Sequence, residues 1–407
     1  MRGKRGNLKC GFGISSGVMM IMTGFFVLIS FTTAFTAEPV KVGVVLPLTG
    51  GQAPFGQASL NGIQIATDLI NKSGGIKGLG GAKIEIISAD CMTDPTTAAS
   101  VAQRLISKDR VVAVMGAFAS SMSLAASEVT ERNRVPFLTM SFTDILTSRG
   151  FKYLFQVVPK ASVIGAAQLS YTLDIAKEMG TPIGRIAIIY EDTAYGSSQA
   201  DGLEKEAKRL GVEVALKDAY PQGVTDALPI VQKVRNSKAQ AVFPVSYFTD
   251  AVLIIRSMRQ AGLNIPVIGG AAGYVIPEFT KALGQFADGI LSINTSCYDH
   301  YGNIGKLYHE KHNQFMTHEA YEHAVLVYAL VEAINHVGSA DPARIGQGLR
   351  EIKMTGGPVM GLPGKTIAFD EKGLNSPAYP IMVQWQKGEL VTVWPKSDAN
   401  AKPIWSK

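Results

Sequence analysis

Cysteine is scarce, three residues in 407, which excludes a disulfide scaffold and fits a chain long enough to stabilise itself by burial. Charge is sparse at 18% against 46% hydrophobic residues, with 42 glycines and 19 prolines, so a disordered or fibrous chain is excluded as well. A broad basic surface is also missing. The formal charge is +6, but Arg2, Lys4, Arg5 and Lys9 precede every acidic residue, and without them 35 basic residues face 33 acidic ones. Nucleic-acid binding through a basic patch is therefore not indicated. At about 150 residues per domain, two or three domains are expected.

Several catalytic signatures are lacking too. No P-loop or His-Glu-x-x-His pair occurs, and no strand runs into a Gly-x-Ser-x-Gly elbow: Gly13 to Gly17 has that spacing but lies ahead of the first strand. Gly74-Gly75-Ile-Lys-Gly78-Leu-Gly80-Gly81 has the composition of a phosphate loop, but it follows a helical stretch and precedes a strand. A dinucleotide fingerprint needs the opposite order, so this run reads as a helix end and turn. All six histidines fall between His300 and His336. His309 and His312 share a helical face, and His318 or His323 could complete a zinc site, yet no supporting cysteine pair or carboxylate accompanies them. Solvated helix-surface histidines are the expectation, with no metal, no cofactor and no enzymatic activity.

What is present begins with an address. The four early cations stand before Val18 to Phe31, a run of about fourteen mostly apolar residues followed by small and hydroxylated ones up to Ala37. This is the layout of a secretory signal peptide, with cleavage expected near Ala34 or Ala37; a retained N-terminal anchor is the other reading of the same run. The run is shorter than the roughly twenty residues of a spanning helix. Cys10 precedes it and so cannot be a lipid-modified cysteine following it. A free protein outside the cytoplasm is expected, in which Cys91 and Cys297 are left to pair or stay reduced.

From Val40 onward apolar strands alternate with helical stretches: Val40 to Leu46 then Leu60 to Asn71, Lys83 to Ser88 then Thr96 to Ser107, Val111 to Met115 then Ser121 to Asn133, and Pro136 to Thr139. In the first helix Ile63, Ala66, Leu69 and Ile70 share one side, leaving Gln64 and Asp68 outward. The same grammar restarts at Ile186 to Tyr190 and runs to Pro277 to Leu283, joined to the first unit near Gln156 to Lys160. Helices follow around Lys306 to Phe315 and Glu319 to His336, then strands at Lys365 to Phe369, Tyr379 to Gln386 and Leu390 to Trp394. Such alternation predicts an α/β protein of two open, mostly parallel sheets flanked by helices.

In open parallel sheets ligands bind beyond the carboxyl ends of the strands. After Val111 to Met115 comes Gly116-Ala-Phe-Ala-Ser120-Ser121, whose hydroxyls and free N–H groups at a helix start suit a carboxylate; a Ser there can equally be an ordinary N-cap. The next strand ends in Ser141-Phe-Thr143, again offering donors. After the first strand, Thr49-Gly50-Gly51-Gln52-Ala-Pro-Phe55-Gly56 puts an aromatic in a glycine-bounded loop. In the second unit Tyr195 follows Glu191-Asp192, and Tyr247 follows Pro244-Val-Ser246. Each ring could cover a ligand's apolar part while offering a hydroxyl.

These residues carry a resemblance. Lys41-Val-Gly-Val-Val-Leu-Pro-Leu-Thr-Gly50, Asn61-Gly62, Asn71-Lys-Ser-Gly-Gly-Ile-Lys-Gly78, Asp94-Pro95, Gly116 with Ser120-Ser121, Thr193-Ala-Tyr195-Gly196 and Phe369-Asp-Glu-Lys-Gly373 together resemble the Leu/Ile/Val-binding family of periplasmic solute-binding proteins, from about residue 40 to 395. The resemblance implies the two-lobed periplasmic-binding-protein type I fold with three crossing segments. Lobe one would span 38–157 and 293–366, and lobe two 158–292 and 367–407, after a signal peptide at 1–37. It implies capture of a small carboxylate or amino acid for the membrane permease of an ABC transporter, as a monomer in the periplasm. A ligand-sensing module for a receptor or regulator is the alternative.

By the same resemblance Ser120 and Thr143 hold the ligand carboxylate, Ser141 adds a contact, and Phe55, Tyr195 and Tyr247 are the site's aromatics, with Ser121 beside Ser120. The family's acidic residue for an α-ammonium would fall near Ala271, in Gly269-Gly270-Ala271-Ala272-Gly273. A buried ammonium without a counter-charge is costly. Either Asp192, Asp250 or Asp144 substitutes, or the ligand is a keto acid, aromatic acid or amide. The positions of the family's lobe-one disulfide look like Thr93 and Ala119, so that bond is expected to be missing.

Overall fold

A computed structural model describes residues 11, 13 and 38–405. The signal-peptide reading and Cys10 lie outside the described residues. Among those described, no helix is long and apolar enough to cross a membrane.

The first sheet is built from β1 (Val40–Leu46), β2 (Ile84–Asp90), β3 (Ala113–Gly116), β4 (Phe137–Thr139) and β5 (Leu154–Gln156), all parallel in the order β2-β1-β3-β4-β5. Its connections are helices α1 (Ala53–Lys72), α2 (Pro95–Ser107) and α3 (Ser120–Arg132). The apolar face of α1 forms as its spacing requires: Ile63, Ala66 and Ile70 are buried and Leu69 half-buried, whereas Gln64 and Asp68 are exposed. Helix α1 also begins two turns earlier than its apolar spacing suggests, with Pro54 in its first turn. That places Phe55 in the helix and not in a glycine-bounded loop, because Gly56 is there for close packing. A Cβ on Gly56 would lie 2.1 Å from the Pro47 carbonyl oxygen.

The chain then crosses to a second set of strands. Helix α4 (Ala161–Glu178) opens it, followed by β6 (Arg185–Glu191), α5 (Ala194–Leu210), β7 (Glu213–Tyr220), α6 (Leu228–Ser237), β8 (Ala241–Val245), α7 (Phe248–Gln260), β9 (Ile268–Gly269), α8 (Pro277–Leu283) and β10 (Leu291–Asn294). Strands β7-β6-β8 pair in parallel, and a single parallel bridge from Val242 to Val267 leads on to β9 and β10. Helices α9 (Gly302–His312), α10 (His318–Val337) and α11 (Pro342–Glu351) return to the first lobe, where α10 packs on α1. The short pair β11 (Met354–Thr355) and β12 (Thr366–Ile367) follows. Finally β13 (Ile381–Gln386) and β14 (Glu389–Trp394) add two antiparallel strands beside β10.

The chain thus passes between the lobes after β5, after β10 and before β13. Two of these passages are tied to each other. Asn375 donates its side-chain amide to the Val157 carbonyl at 3.0 Å and its backbone N–H to Gln156 at 2.9 Å. Cys91 and Cys297 are both free and buried. Burial pushes the Cys91 thiol up to about 11 and the Cys297 thiol up to about 12, so neither is a thiolate at neutral pH.

Candidate functional site

The carboxyl ends of β3 and β4 in one lobe face those of β6, β8 and β9 in the other, and a small cavity of about 20 Å³ lies between them. It is lined by Phe118, Ser120, Met140, Ser141, Phe142, Tyr195, Tyr247, Ala272 and His318. Four residues singled out from sequence reach this lining: Ser120, Ser141, Tyr195 and Tyr247. The other four lie around it.

The helix start at α3 is the polar wall. Its N-cap is Ala119, which has no side chain to cap with, so the Ser120 hydroxyl is not spent on capping. Instead its Oγ accepts the backbone N–H of Thr143 at 3.3 Å. Ser120 and Thr143 therefore meet, but Thr143 stands behind the lining, with Oγ1 3.0 Å from Ser198 Oγ on α5 of the opposite lobe. Ser141 is committed to the scaffold, donating its hydroxyl to the Phe118 carbonyl at 2.6 Å and lying 2.6 Å from Ser123 Oγ. Ser121 is half-buried and off the lining. Gly116 makes the approach of the loop possible: its φ is +139°, and a Cβ there would lie 2.0 Å from the Val45 carbonyl oxygen.

Aromatic rings form the rest. Phe55 is fully buried and stacks on Phe118, centroids 4.4 Å apart at 11°; it backs the lining without joining it. Phe118 and Phe142 of the first lobe approach Tyr247 and Tyr195 of the second at 6.1 Å and 5.9 Å. The two tyrosines are 5.2 Å apart. Tyr195 donates its hydroxyl to the Gly270 carbonyl, so it offers the cavity its ring and not a free hydroxyl. Burial, then the neighbouring Tyr247 and Glu191, holds the Tyr195 phenol well above its ordinary value. Burial is also the main cause for Tyr247, with Glu191 adding to it.

Ala271 is buried beside the cavity with its N–H on Ser292 Oγ at 3.1 Å, and Ala272 supplies the lining methyl. None of the three candidate aspartates lines the cavity. Asp144 accepts the Ser162 N–H and hydroxyl at 2.9 and 2.5 Å, Asp192 is exposed, and Asp250 accepts the Gly223 N–H at 3.0 Å. Burial raises the Asp250 carboxyl.

His318 was not among the residues the strand ends suggested. Along with His323 it is fully buried, which corrects the expectation of solvated surface histidines; His309 is exposed and His312 half-buried. Among the described residues no cluster of His, Cys, Asp and Glu could hold a metal ion. The signal that could have located His318 is local: Thr317-His318-Glu319 heads α10, an otherwise strongly apolar helix whose first two turns are buried.

A profile of the family described as periplasmic binding protein matches residues 39–389. The Leu/Ile/Val-binding protein homolog 8 of Brucella suis biovar 1 (strain 1330) is 32% identical over 392 residues, covering 92% of this chain and 96% of that protein. The leucine-binding protein LivK of Thermotoga maritima MSB8 superposes with a TM-score of 0.77 at 24% identity, over 87% of this chain and 98% of its own. A solute-binding protein from R. palustris in complex with benzoate superposes with a TM-score of 0.76 at 18% identity, over 91% and 98%. These two likenesses bear on the fold alone.

Proposed function

The chain belongs to the periplasmic binding protein family with the type I fold, and from that premise we propose that it is the extracytoplasmic capture subunit of an ABC importer for a small carboxylate. In this reading a signal peptide over 1–37 exports the protein. Residues 38–157 and 293–366 form one jaw, and 158–292 with the remaining tail form the other.

The observation that carries the reading is the cavity itself. Its polar wall, with the Ser120 hydroxyl at the N-terminus of α3, comes from one lobe, and the Tyr195 and Tyr247 rings come from the other. A helix start with a hydroxyl hydrogen free to donate favours an anion, and rings opposite it favour an apolar body. A ligand touching both lobes stabilises the closed arrangement, and only such differential contact shifts open and closed populations. The closed form would then dock on the permease, whose partner subunits hydrolyse ATP.

The structural neighbours include a leucine-binding protein and one in complex with benzoate, ligands with and without an ammonium. With no carboxylate on the lining, acids lacking an ammonium are as well suited to this cavity as amino acids are. Thermal-shift screening of the purified protein against amino acids, keto acids, aromatic acids and amides tests the proposal. Ligand at a hundredfold excess over Kd adds about 2.7 kcal/mol to apparent stability. Absence of any stabilising carboxylate would sink it.

A further inference from the structure

His318 stands at the start of α10 with its ring against the cavity and 6.3 Å from the Phe142 ring, centroid to centroid. It is fully buried, and neither ring nitrogen has a hydrogen-bond partner in the protein. A buried polar group left in that state destabilises the fold, so its presence calls for a partner from elsewhere. Behind it Glu319, also buried, places Oε2 3.0 Å from His318 Nδ1, although off the line of a good hydrogen bond. Glu319 itself borders a different groove, between α1 and the segment Ile276–Glu278. The Nδ1 edge of the imidazole is therefore turned to Glu319, and Nε2, without a partner in the protein, belongs to a ring that lines the cavity.

We propose that His318, backed by Glu319, is a specificity residue that donates a hydrogen bond from Nε2 to a second acceptor on the ligand, distinct from the carboxylate at Ser120. The ligand class is a small acid with a carbonyl, carboxamide or hydroxyl oxygen where a purely aliphatic acid has a methyl group. This rests on the capture reading above and sharpens it.

The protonation chemistry agrees with a donor. Burial pushes the Glu319 carboxyl up to about 8 and the His318 imidazole down to about 3. Near neutral pH the pair is then uncharged overall. Where the protonated Glu319 donates toward Nδ1, the imidazole hydrogen is on Nε2, the donor this assignment requires; an Nδ1–H tautomer facing the carbonyl oxygen of the Glu319 carboxyl would make Nε2 an acceptor. A methyl placed against it leaves the donor unpaired, whereas an oxygen satisfies it, and sites built on a buried polar group discriminate on that ground.

The test uses two pairs of near-isosteric acids that differ in this feature: leucine with asparagine, and 4-methylpentanoate with 4-oxopentanoate. Calorimetric titration of the wild type should show the oxygen-bearing member of at least one pair binding roughly tenfold tighter than its partner. His318→Phe, which keeps the ring volume and removes the donor, should bring that ratio close to one, and His318→Gln, which keeps a donor, should restore part of it. His318→Met serves where the Phe variant does not fold.

In the absence of ligand His318→Phe should also raise the unfolding midpoint, since it removes an unpaired buried group; a merely structural histidine would lose stability instead. A preference for the methyl-bearing members, or a ratio unchanged by His318→Phe, overturns the assignment. If those members bind and lose affinity on Ser120→Ala, carboxylate capture survives that result. Binding of none of the four overturns the assignment, and a wider acid screen without a hit overturns capture as well.

Discussion

Replacing Ser120 by alanine separates the anion site from the scaffold. Ser120 is 2% exposed, and its Oγ accepts the Thr143 N–H at 3.3 Å. Alanine leaves that buried N–H without a partner, a loss of about 1–2 kcal/mol of folding stability. If the hydroxyl also donates to a ligand carboxylate, a charge-assisted bond worth about 1.5–3 kcal/mol disappears too. That corresponds to roughly a 10- to 150-fold rise in Kd. The two effects are measured independently, the first by urea unfolding of the ligand-free variant and the second by calorimetric titration with the acid found by screening. A variant that loses folding stability yet keeps its Kd within about threefold of wild type would show that Ser120 only supports Thr143, and the carboxylate would have to be placed elsewhere in the cavity.

The hydroxyl contact between Thr143 and Ser198 links the lobes at 3.0 Å. Ser198→Ala should therefore weaken binding by about 0.5–1.5 kcal/mol through closure alone, with a larger radius of gyration in small-angle scattering at subsaturating ligand; no change in either measurement refutes a closing role. Cys91 and Cys297 should resist a thiol reagent at pH 8 in the folded protein and react fully in denaturant, and rapid reaction of either in the native state would contradict its burial and raised pKa. The buried groups His318, His323, Glu319 and Glu322 make stability depend on pH in a defined way. Burial holds both imidazoles below 6.5, at about 3 and about 4, and both carboxyls above 4.5, Glu319 at about 8 and Glu322 well above its ordinary value. Between 4.5 and 6.5 the folded chain keeps the two carboxyl protons while the unfolded chain keeps the two imidazole protons, so their effects cancel. Each carboxyl contribution is lost as pH rises from 4.5 through the folded value and each imidazole contribution as pH falls from 6.5, so net stability falls only above 6.5 and below 4.5, at up to about 1.4 kcal/mol per pH unit for each proton. Glu319→Gln should flatten the alkaline fall in urea midpoints measured from pH 6.5 to 8.5, and an unchanged slope would refute the assignment to Glu319.

Much of the architecture was legible because its strands are buried on both faces and bounded by breakers. Val40–Leu46, Ala241–Val245 and helix Pro277–Leu283 fall where apolar runs meet proline, glycine or polar residues. Helix α4 escaped notice since apolar and small residues surround it on most sides and it follows the crossing segment directly. The early turns of α1 were hidden by Gly56, which looks like a breaker in a one-dimensional pattern. In three dimensions it is a contact point against the Pro47 carbonyl, as Gly62 within the expected helix is against the Ala320 carbonyl, 2.0 Å from where its Cβ would lie. The strand-end rule could find Ser120, Ser141, Tyr195 and Tyr247 because each follows a strand. It could not find His318, which reaches the same cavity from the start of a helix far along the chain, and it named Thr143 and Phe55 without showing that both stand one layer behind the lining.

The turn after β9 explains why polarity in this cavity is one-sided. Gly270 gives its carbonyl to the Tyr195 hydroxyl, and Ala271 gives its N–H to Ser292. Ala271 and Ala272 hold φ of +73° and +40°, and Phe118 across the cavity +68°. Non-glycine residues in that region cost about 1–3 kcal/mol each, a strain the surrounding packing must hold in place. Part of the turn's backbone is thereby engaged within its own lobe, and the side chain it shows the cavity is a methyl group. With the Tyr195 hydroxyl also committed to that turn, on the proposed reading the second lobe would cover a ligand mainly with rings, whereas Ser120 and His318 of the first lobe would supply the hydrogen bonds. A ligand group that needs a charged partner from the second lobe would be buried unpaired on closure, at a cost of several kcal/mol. Recognition of polar atoms should therefore be complete on the first lobe before closure, and closure itself should be driven by burial of apolar surface under Tyr195 and Tyr247. Binding heat capacity is the measure of that division: it should be negative and should shrink in magnitude when Tyr247 is replaced by alanine, while Ser120→Ala should leave it nearly unchanged.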